Sequence, residues 1–545
     1  MIKNFLIKVI EYFFFRNYGY KNYPLKFSSI PPIKKKYKKY KNNFKKKNIN
    51  KNVYTLDLSS KKIIVNSSNI WKKKTFKDEE DLSQLHRWSW AIKLVSESKK
   101  YNYQFINKKI FLQNSFLSWI SKNFLKNIDK NDVLFHPYNI SERICNYIIL
   151  VKLKIIKPNL FVLSRLEDEC FYLLKNIEYF KFKKSNHALN NLRALYIFSI
   201  YSKNKQLENY SISFICHLMN DYVDDSGFYK FCSSNYQFIF TKWLSDVLMF
   251  SNGKKGQKIN FLKNIYKKNI STLYFFLQRN NYKLSIPLIG NISPDFKNEW
   301  LINFFLKKNS NYFFKKYWNN FRFKRITNNN HSISIMKNKE WLKINNSKIT
   351  VYVRNPIING FDFNHSHNDF FNFVTFLNGK QYIIDRGRKN YLKKYNSLKL
   401  SKTHNSFTIN NQGIFDQYLK ENIYYKLKNL KTEVNYKIKK INNKYILMHS
   451  INKNFSILRK IELEKNYLIV EDKFNSKQKV KLEIKFNFDL NLKNYKINNI
   501  TDEKYLKKIF KLKKYTDYGK EEKINAINYS FFTNNLKFKT IFKVS

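Results

Sequence analysis

Cysteine is scarce, with four residues in 545, and Cys145, Cys170, Cys216 and Cys232 are dispersed without a C-x-x-C pair. A disulfide scaffold is excluded, and buried free thiols are expected. Ten Gly and eight Pro are too few for a collagen-like or linker-dominated chain. No uncharged apolar run reaches the roughly 18 residues that a membrane-spanning helix needs. The opening segment, MIKNFLIKVIEYFFFRNYGY, has the outline of a secretion signal. Lys8 and Glu11 interrupt its apolar stretch, however, and no small-residue cleavage site follows. An uncleaved amphipathic segment is an equal reading. Acidic residues are also short: 39 Asp+Glu face 103 Lys+Arg, for a formal net charge of +64.

What is present argues for folded domains. Hydrophobic residues make up 43% and aromatics 18%, enough apolar surface to offset the entropy of ordering the chain. At about 100–200 residues per domain, two or three domains are expected. Lys, Asn, Ile, Phe and Tyr dominate and share A/T-rich codons, so base composition accounts for part of the lysine excess. A field this positive still attracts polyanions, whether nucleic acid, anionic membrane or acidic polysaccharide. No nucleic-acid-binding module is visible, so a specific nucleic-acid partner is not expected.

Residues 1–75 read as an extension ending in a basic connector, of which PPIKKKYKKYKNNFKKKNINKN (31–52) is the solvated core. From 76 to 330 the spacing predicts helices: SWISKNFLKNI, SERICNYIILVKL, SRLEDECFYLLKNIEYF, NHALNNLRALYIFSIYSKN and SISFICHLMNDYV. Connectors such as YSKNKQLENYS separate them. From 331 to 545 the texture changes to alternating, β-branched and aromatic runs such as ITVYVRNP and VKLEIKFNFDLNL. Asn378-Gly379 supplies a two-residue hairpin turn between two of these runs. The expected class is α+β multidomain, helices first and antiparallel strands after, with a ligand cleft between the two parts.

Nine histidines are few, and three have informative neighbours. His365 and His367 lie two apart in FNHSHNDFF, which in a strand places them on one face. Across the Asn-Gly turn residue 377 faces 380, so Asp385 falls opposite Asn372, near His367. His404 follows in SKTHNSFTI. His367, Asp385 and His404 form an N/O donor set that suits Zn²⁺. In the helical part, Asn186-His187 opens a helix, where Asn is commonly a cap. Tyr236 opens another in SSNYQFIFTKW, where Tyr is commonly a packing residue. Residue types alone leave both readings open.

In combination these segments resemble a family. FNHSHNDFFNFVTFLNGKQYIIDRGRKNY followed by KTHNSFTINNQ resembles the heparinase II/III-like polysaccharide lyases, whose pattern is H-x-H-x-D, a hairpin ending in D-x-G, then H-N-T/S. Upstream, PYNISERICNYIIL resembles the I-S-x-R helix, NHALNNLRAL the N-H-x-L helix and SSNYQ the S-P-x-Y-H segment. The resemblance spans roughly residues 80 to 420. It implies an α/α toroid followed by an antiparallel β-sandwich, β-elimination on an acidic, uronate-containing polysaccharide, and a periplasmic or cell-envelope setting.

The resemblance also implies roles. Asn186 or His187 would neutralise the uronate carboxylate. Tyr236 would be base, acid or both in turn, and His365 the partner acid/base. His367, Asp385 and His404 would hold a structural Zn²⁺. Arg143 would contact substrate, an intramolecular ion pair being the competing reading, and Asn190 stands where some members carry Glu. Two departures follow Cys232: Ser234 stands where Pro is usual and Gln237 where His commonly follows the Tyr. A catalytically weak or inactive glycan-binding protein of capsule or lipopolysaccharide metabolism is therefore the alternative function.

Overall fold

The amphipathic stretches after residue 78 form helices, several started by a side chain that supplies what the first turn lacks. Asp78 caps α1 (Glu79–Arg87), and Asn159 caps α5 (Leu160–Lys175). His136 caps α4 (Pro137–Lys152), whose first residue is the proline that a helix start tolerates. Between them lie α2 (Ser89–Ser96) and α3 (Tyr103–Ser121). Next come α6 (Asn186–Ser202), α7 (Lys205–Tyr222), α8 (Ser234–Phe250), α9 (Gln257–Phe276) and α10 (Asn298–Leu306). A computed structural model describes residues 30–31, 36–37, 52–71, 76–96, 103–121, 133–179, 186–230, 233–280, 283–306, 341–355, 365, 367–413, 416, 435–442, 444–451, 453–489 and 496–543. The opening segment, most of the basic connector and Cys232 lie outside them. Among the described residues no helix is long and apolar enough to cross a membrane.

Contacts divide the chain into two units that do not follow sequence order. The first comprises residues 1–224, 239–268 and 294–326; the second comprises 225–238, 269–293 and 327–545. A single boundary at 330/331 is thus too simple, because two excursions from the helical stretch pack with the strands. The first turn of α8, which carries Tyr236, is one of them.

In the first unit, buried ion pairs tie helix to helix. Arg143 of α4 is fully buried and grips Glu169 of α5 with Nε at 3.0 Å and Nη2 at 2.9 Å. Arg193 of α6 pairs with Glu142 at 2.9 Å and lies 3.5 Å from Asp246, which Lys242 also holds at 2.9 Å. Removing one member of such a pair strands a buried charge, at a cost of about 3–5 kcal/mol. Helix α7 starts earlier than the polar run around Lys205 suggests, because Asn204 accepts from the Leu207 amide and caps a first turn, Lys-Gln-Leu-Glu, of good helix formers. The connector is also less solvated at one point than expected: the amides of Lys36 and Tyr37 donate to the Glu167 carboxylate at 2.7 and 2.8 Å.

The second unit is mostly antiparallel. Strands β1 (Tyr54–Asp57) and β2 (Lys62–Val65) belong to the first unit; β3 (Gln278–Asn280) and β4 (Lys283–Ser285) form a hairpin in the second. A four-stranded sheet follows, ordered β5 (Trp341–Asn345), β6 (Ile349–Arg354), β7 (Phe373–Leu377), β8 (Lys380–Gln381). A nine-stranded sheet contains β9 (Phe407–Ile409), β10 (Gln412–Gly413), β11 (Asn435–Ile441), β12 (Tyr445–Ile451), β13 (Phe455–Leu463), β14 (Tyr467–Phe488), β15 (Lys496–Ile500), β16 (Leu506–Asp517) and β17 (Lys520–Lys543). The run VKLEIKFNF continues a strand that begins at Tyr467: both belong to β14, with a register shift between Asn475 and Val480. Inward residues of both sheets, among them Val351, Phe373, Ile457 and Phe486, share one hydrophobic cluster.

The hairpin forms as its turn residues require. Leu377 pairs with Lys380, Asn378 and Gly379 hold φ of 48° and 76°, and Asn372 Nδ2 reaches Asp385 Oδ2 at 2.8 Å. At Gly379 a Cβ would fall 1.9 Å from the Arg279 carbonyl, so only glycine fits.

Candidate active site and metal centre

The catalytic candidates of the second unit meet. The Tyr236 ring, in the first turn of α8, stacks on His365 with centroids 3.6 Å apart and planes 16° from parallel. Tyr236 Oη lies 2.7 Å from Tyr391 Oη, and the Arg388 guanidinium sits 4.9 Å from the Tyr391 ring. Ser233 Oγ accepts from the Tyr236 amide at 3.3 Å and donates to the Asn291 carbonyl at 2.6 Å, fixing the start of the helix. Ser234, the departure from Pro, donates to the Pro287 carbonyl through a very short contact, so its hydroxyl anchors the same turn. Gln237, the departure from His, is buried and turned inward: Nε2 donates to Thr272 Oγ1 at 2.6 Å and the Gly227 carbonyl at 3.0 Å, while Oε1 accepts from the Tyr229 amide at 2.9 Å.

His365 and His367 are not on a strand. They precede β7 in irregular backbone, so the period-two argument does not apply, and each side chain goes to its own partner. Asn291 holds both: its amide donates to the His365 carbonyl at 2.7 Å, and its Oδ1 lies 3.0 Å from His367 Nε2. Because an amide oxygen only accepts, His367 carries its proton on Nε2, and the buried Nδ1 keeps a lone pair with no hydrogen-bond partner.

That lone pair faces a donor set. His367, Asp385 and His404 are all buried, and their ligand atoms lie within 4.8 Å of one another. His404 Nδ1 is 3.0 Å from Asp385 Oδ2. Two ligands on one zinc ion with bonds of about 2.0 Å would be about 3.3 Å apart in a tetrahedron, so the spacing fits. Burial and the neighbouring His404 hold His367 well below the usual imidazole range, keeping it in the neutral form that ligates. Burial alone would raise Asp385, but His404 and the Gly387 amide hold its carboxyl at about 2. The D-x-G spacing has its cause here: Gly387 N donates to Asp385 Oδ1 at 2.9 Å, its φ is 63°, and a Cβ would meet the Tyr515 carbonyl at 2.9 Å. The H-N pair is equally explicable. Asn405, next to His404, donates to the carbonyls of Phe373 and Ile384 at 2.8 and 2.9 Å and accepts from Asn487 N at 2.7 Å. Arg459, paired to Asp472 across β13 and β14, donates to the carbonyls of Phe371 and Asn405 at 3.0 and 2.7 Å. The sheet thereby fixes the loops that carry the cluster.

In the first unit the I-S-E-R and N-H-x-L motifs tie to each other. Ser141 Oγ accepts from Asn191 Nδ2 at 3.0 Å, and Glu142 pairs with Arg193. Arg143, expected to contact substrate, is corrected: its guanidinium is fully buried and taken up by Glu169 and by the carbonyls of His86 and Leu134 at 3.0 and 3.2 Å. The competing ion-pair reading holds. Asn190 is fully buried, and neither amide atom has a hydrogen-bond partner. Asn186 is 3% exposed, whereas the His187 side chain is 37% exposed and its Nδ1 lies 2.8 Å from Glu178 Oε1. Glu178, His136, Tyr391 and Asn291 escaped sequence reading. Tyr391 and Asn291 are remote in sequence from the groups they hold, Glu178 sits in an apolar run nine residues before His187, and only the N-cap position of His136 before Pro137 left a local signal.

Residues 332–516 match the family described as heparinase II/III-like, C-terminal. No curated protein matches the chain in sequence. Among solved structures, heparinase III is 12% identical over 87% of this chain and 79% of its own, with a TM-score of 0.66. Another heparinase III structure is 16% identical over 87% and 80%, with a TM-score of 0.56. A heparan sulfate lyase mutant from Pedobacter heparinus is 15% identical over 88% and 80%, with a TM-score of 0.54. At these identities the likeness shows a shared fold: helices followed by a large antiparallel sheet.

Proposed function

Starting from a chain whose residues 332–516 belong to the heparinase II/III-like C-terminal family, we propose that it is a polysaccharide lyase acting on an acidic, uronate-containing polymer. The helices are read as an α/α toroid and the two sheets over one core as a β-sandwich. The observation that carries the reading is the stacking of the Tyr236 phenol on His365, two proton-transfer groups from successive motifs of the series that are far apart in sequence.

The chemistry suits these residue types. The C5 proton of a uronate is weakly acidic, and removing it places charge beside a carboxylate. That carboxylate must be neutralised by a donor that is already in place, the role of Asn186 or His187. A base takes the C5 proton, the freed electron pair forms the C4–C5 double bond, and the C4–O4 bond breaks as an acid protonates O4. Tyr236 serves as base, acid or both, with His365 as partner; Tyr391, in hydrogen-bond reach of the phenol, helps to hold its orientation. No water attacks, which separates this reaction from paired-carboxylate hydrolysis. His367, Asp385 and His404 would hold a Zn²⁺ whose contribution is to order the loop carrying His365.

A glycan-binding protein without cleavage is the second reading, favoured by the enclosed Asn190 where some relatives carry Glu. The deciding test is incubation with a panel of uronate polymers while the ultraviolet absorbance of the unsaturated product is followed. Tyr236→Phe should lower the rate by about 10²–10⁴-fold. An unchanged rate would remove Tyr236 from the chemistry, and no absorbance on any polymer would favour binding alone.

A further inference from the structure

The positive charge of the chain coincides, on one face of the second unit, with apolar side chains that stand in water. Strand register identifies that face. On β17, Ile527, Tyr529 and Phe531 point into the shared core, so by the two-residue period Asn528, Ser530 and Phe532 point away from it. On β16, Leu506 faces Ser530 and Lys508 faces Asn528; Phe510 follows on the same side. On β14, Lys481 faces Phe532, Glu483 faces Ser530 and Lys485 faces Asn528.

Phe532 is 71% exposed, Leu506 55% and Phe510 41%. Large apolar side chains grouped on one outward face mark a surface that meets something other than water. Lysines are interleaved with them: Lys485 and Lys508 flank Asn528, about 10 Å apart at the backbone. The carboxylate on this face, Glu483, is already taken by Thr408 Oγ1 at 2.9 Å, Ser530 Oγ at 3.3 Å and Lys481 Nζ at 3.3 Å.

Strand β16 extends the same character to the rim. Among the described residues β17 is its one strand partner, so residues 506–511 form an edge. Lys507, Ile509 and Lys511 point to its other side, and Ile509 is 60% exposed. The nearest acids lie off this stretch. Asp502 and Glu503 precede the strand, and Glu521 and Glu522, past its far end, already pair with Lys513 and Lys514.

Charge and apolarity together select the occupant. A second copy joining edge to edge at β16 would set lysines against lysines. An acidic sugar polymer would use the lysines but press Leu506 and Ile509 against hydroxyls. An anionic lipid surface uses both, because apolar side chains enter the boundary between headgroups and acyl chains while lysines meet the phosphates around them.

We propose that the outer face of β14, β17 and β16 docks the second unit on an anionic lipid surface, with Leu506, Phe510 and Phe532 entering the headgroup boundary and the β16 lysines lying among the phosphates. This goes beyond the lyase reading and does not depend on it.

The test is co-sedimentation of the full-length chain with vesicles of phosphatidylglycerol and phosphatidylcholine. Charge anywhere on so basic a chain draws it to anionic vesicles, so the deciding variant leaves charge untouched. Leu506→Ser, Phe510→Ser and Phe532→Ser together should weaken binding about tenfold at about 0.15 M salt, with an unchanged thermal midpoint. Lys507→Ser, Lys508→Ser and Lys511→Ser together should weaken it about 10–100-fold. Lys263→Ser, Lys267→Ser and Lys268→Ser, an equal charge loss from exposed positions of α9, should cost less than about threefold. Equal losses for the two lysine triples, or full binding by the apolar variant, overturn the proposal. So does an apolar variant that loses affinity for a soluble polyuronate but not for vesicles, or one that only dissociates a wild-type dimer. If the apolar variant melts early, the wild type decides alone: part of its binding should persist at about 0.5 M salt, and complete release overturns the proposal.

Discussion

Two clusters of the same composition, two histidines and one carboxylate, occur in the two units and are built to opposite ends. In His367–Asp385–His404 everything is buried, and an amide oxygen takes the His367 proton away from the cluster, turning a lone pair inward. In His136–Glu178–His187 the carboxylate is buried but the imidazoles reach solvent, and the protons point inward at Glu178. The first arrangement leaves a place for a cation. In the second, both imidazoles turn a ring nitrogen toward the carboxylate, as His404 alone does toward Asp385 in the first. Composition and spacing alone do not separate the two clusters; burial and the Asn291 amide oxygen on His367 do.

The largest test of this contrast is on stability. Asp385→Ala strands three buried donors, His404 Nδ1, Asn372 Nδ2 and Gly387 N, and should cost about 3–5 kcal/mol in denaturant titration. Glu178→Ala should cost about 1–2 kcal/mol, because its histidines can turn to water. A reversed order would break the comparison. Next comes metal affinity: Asn291→Ala frees the His367 tautomer and should weaken zinc binding about 10–100-fold by competition with a chelator, whereas His187→Ala should leave it unchanged. A last test concerns His86, a buried histidine beside Arg143. Burial first, then Arg143, pushes it down to about 3. Its folded pKa lies below the unfolded value, so the unfolded chain binds the extra proton. Stability is intact above about 6.5 and declines by at most about 1.4 kcal/mol per pH unit as pH falls towards 3. His86→Gln should flatten that part of the pH–stability curve; a slope identical to wild type would show that other groups set it.

Much of the second unit was legible because its chemistry is local. Asn-Gly forces the hairpin, the hairpin aligns Asn372 with Asp385, and Gly387 two residues on supplies the amide that the carboxylate needs. Helical periodicity located α4, α6 and α8 for the same reason. The excursions 225–238 and 269–293 were invisible, because nothing in a helix start tells which neighbour it packs with. Arg143 misled because a buried bidentate pair and a substrate fork call for the same side chain, and only Glu169 decides between them. Glu178 was lost in an apolar run, where an acidic residue reads as a surface interruption.

Strand β17 pairs with β14 on one side and with β15 and β16 on the other, although all three precede it in the chain. A nascent polypeptide therefore pairs β14, whose Asp472 fixes Arg459 and through it the cluster loops, with β13 and β9 while its other neighbour, β17, does not yet exist. Until residues 520–543 leave the ribosome those earlier strands have open edges, which are surfaces prone to wrong pairing. Whatever shields them during synthesis governs how much working protein a cell obtains.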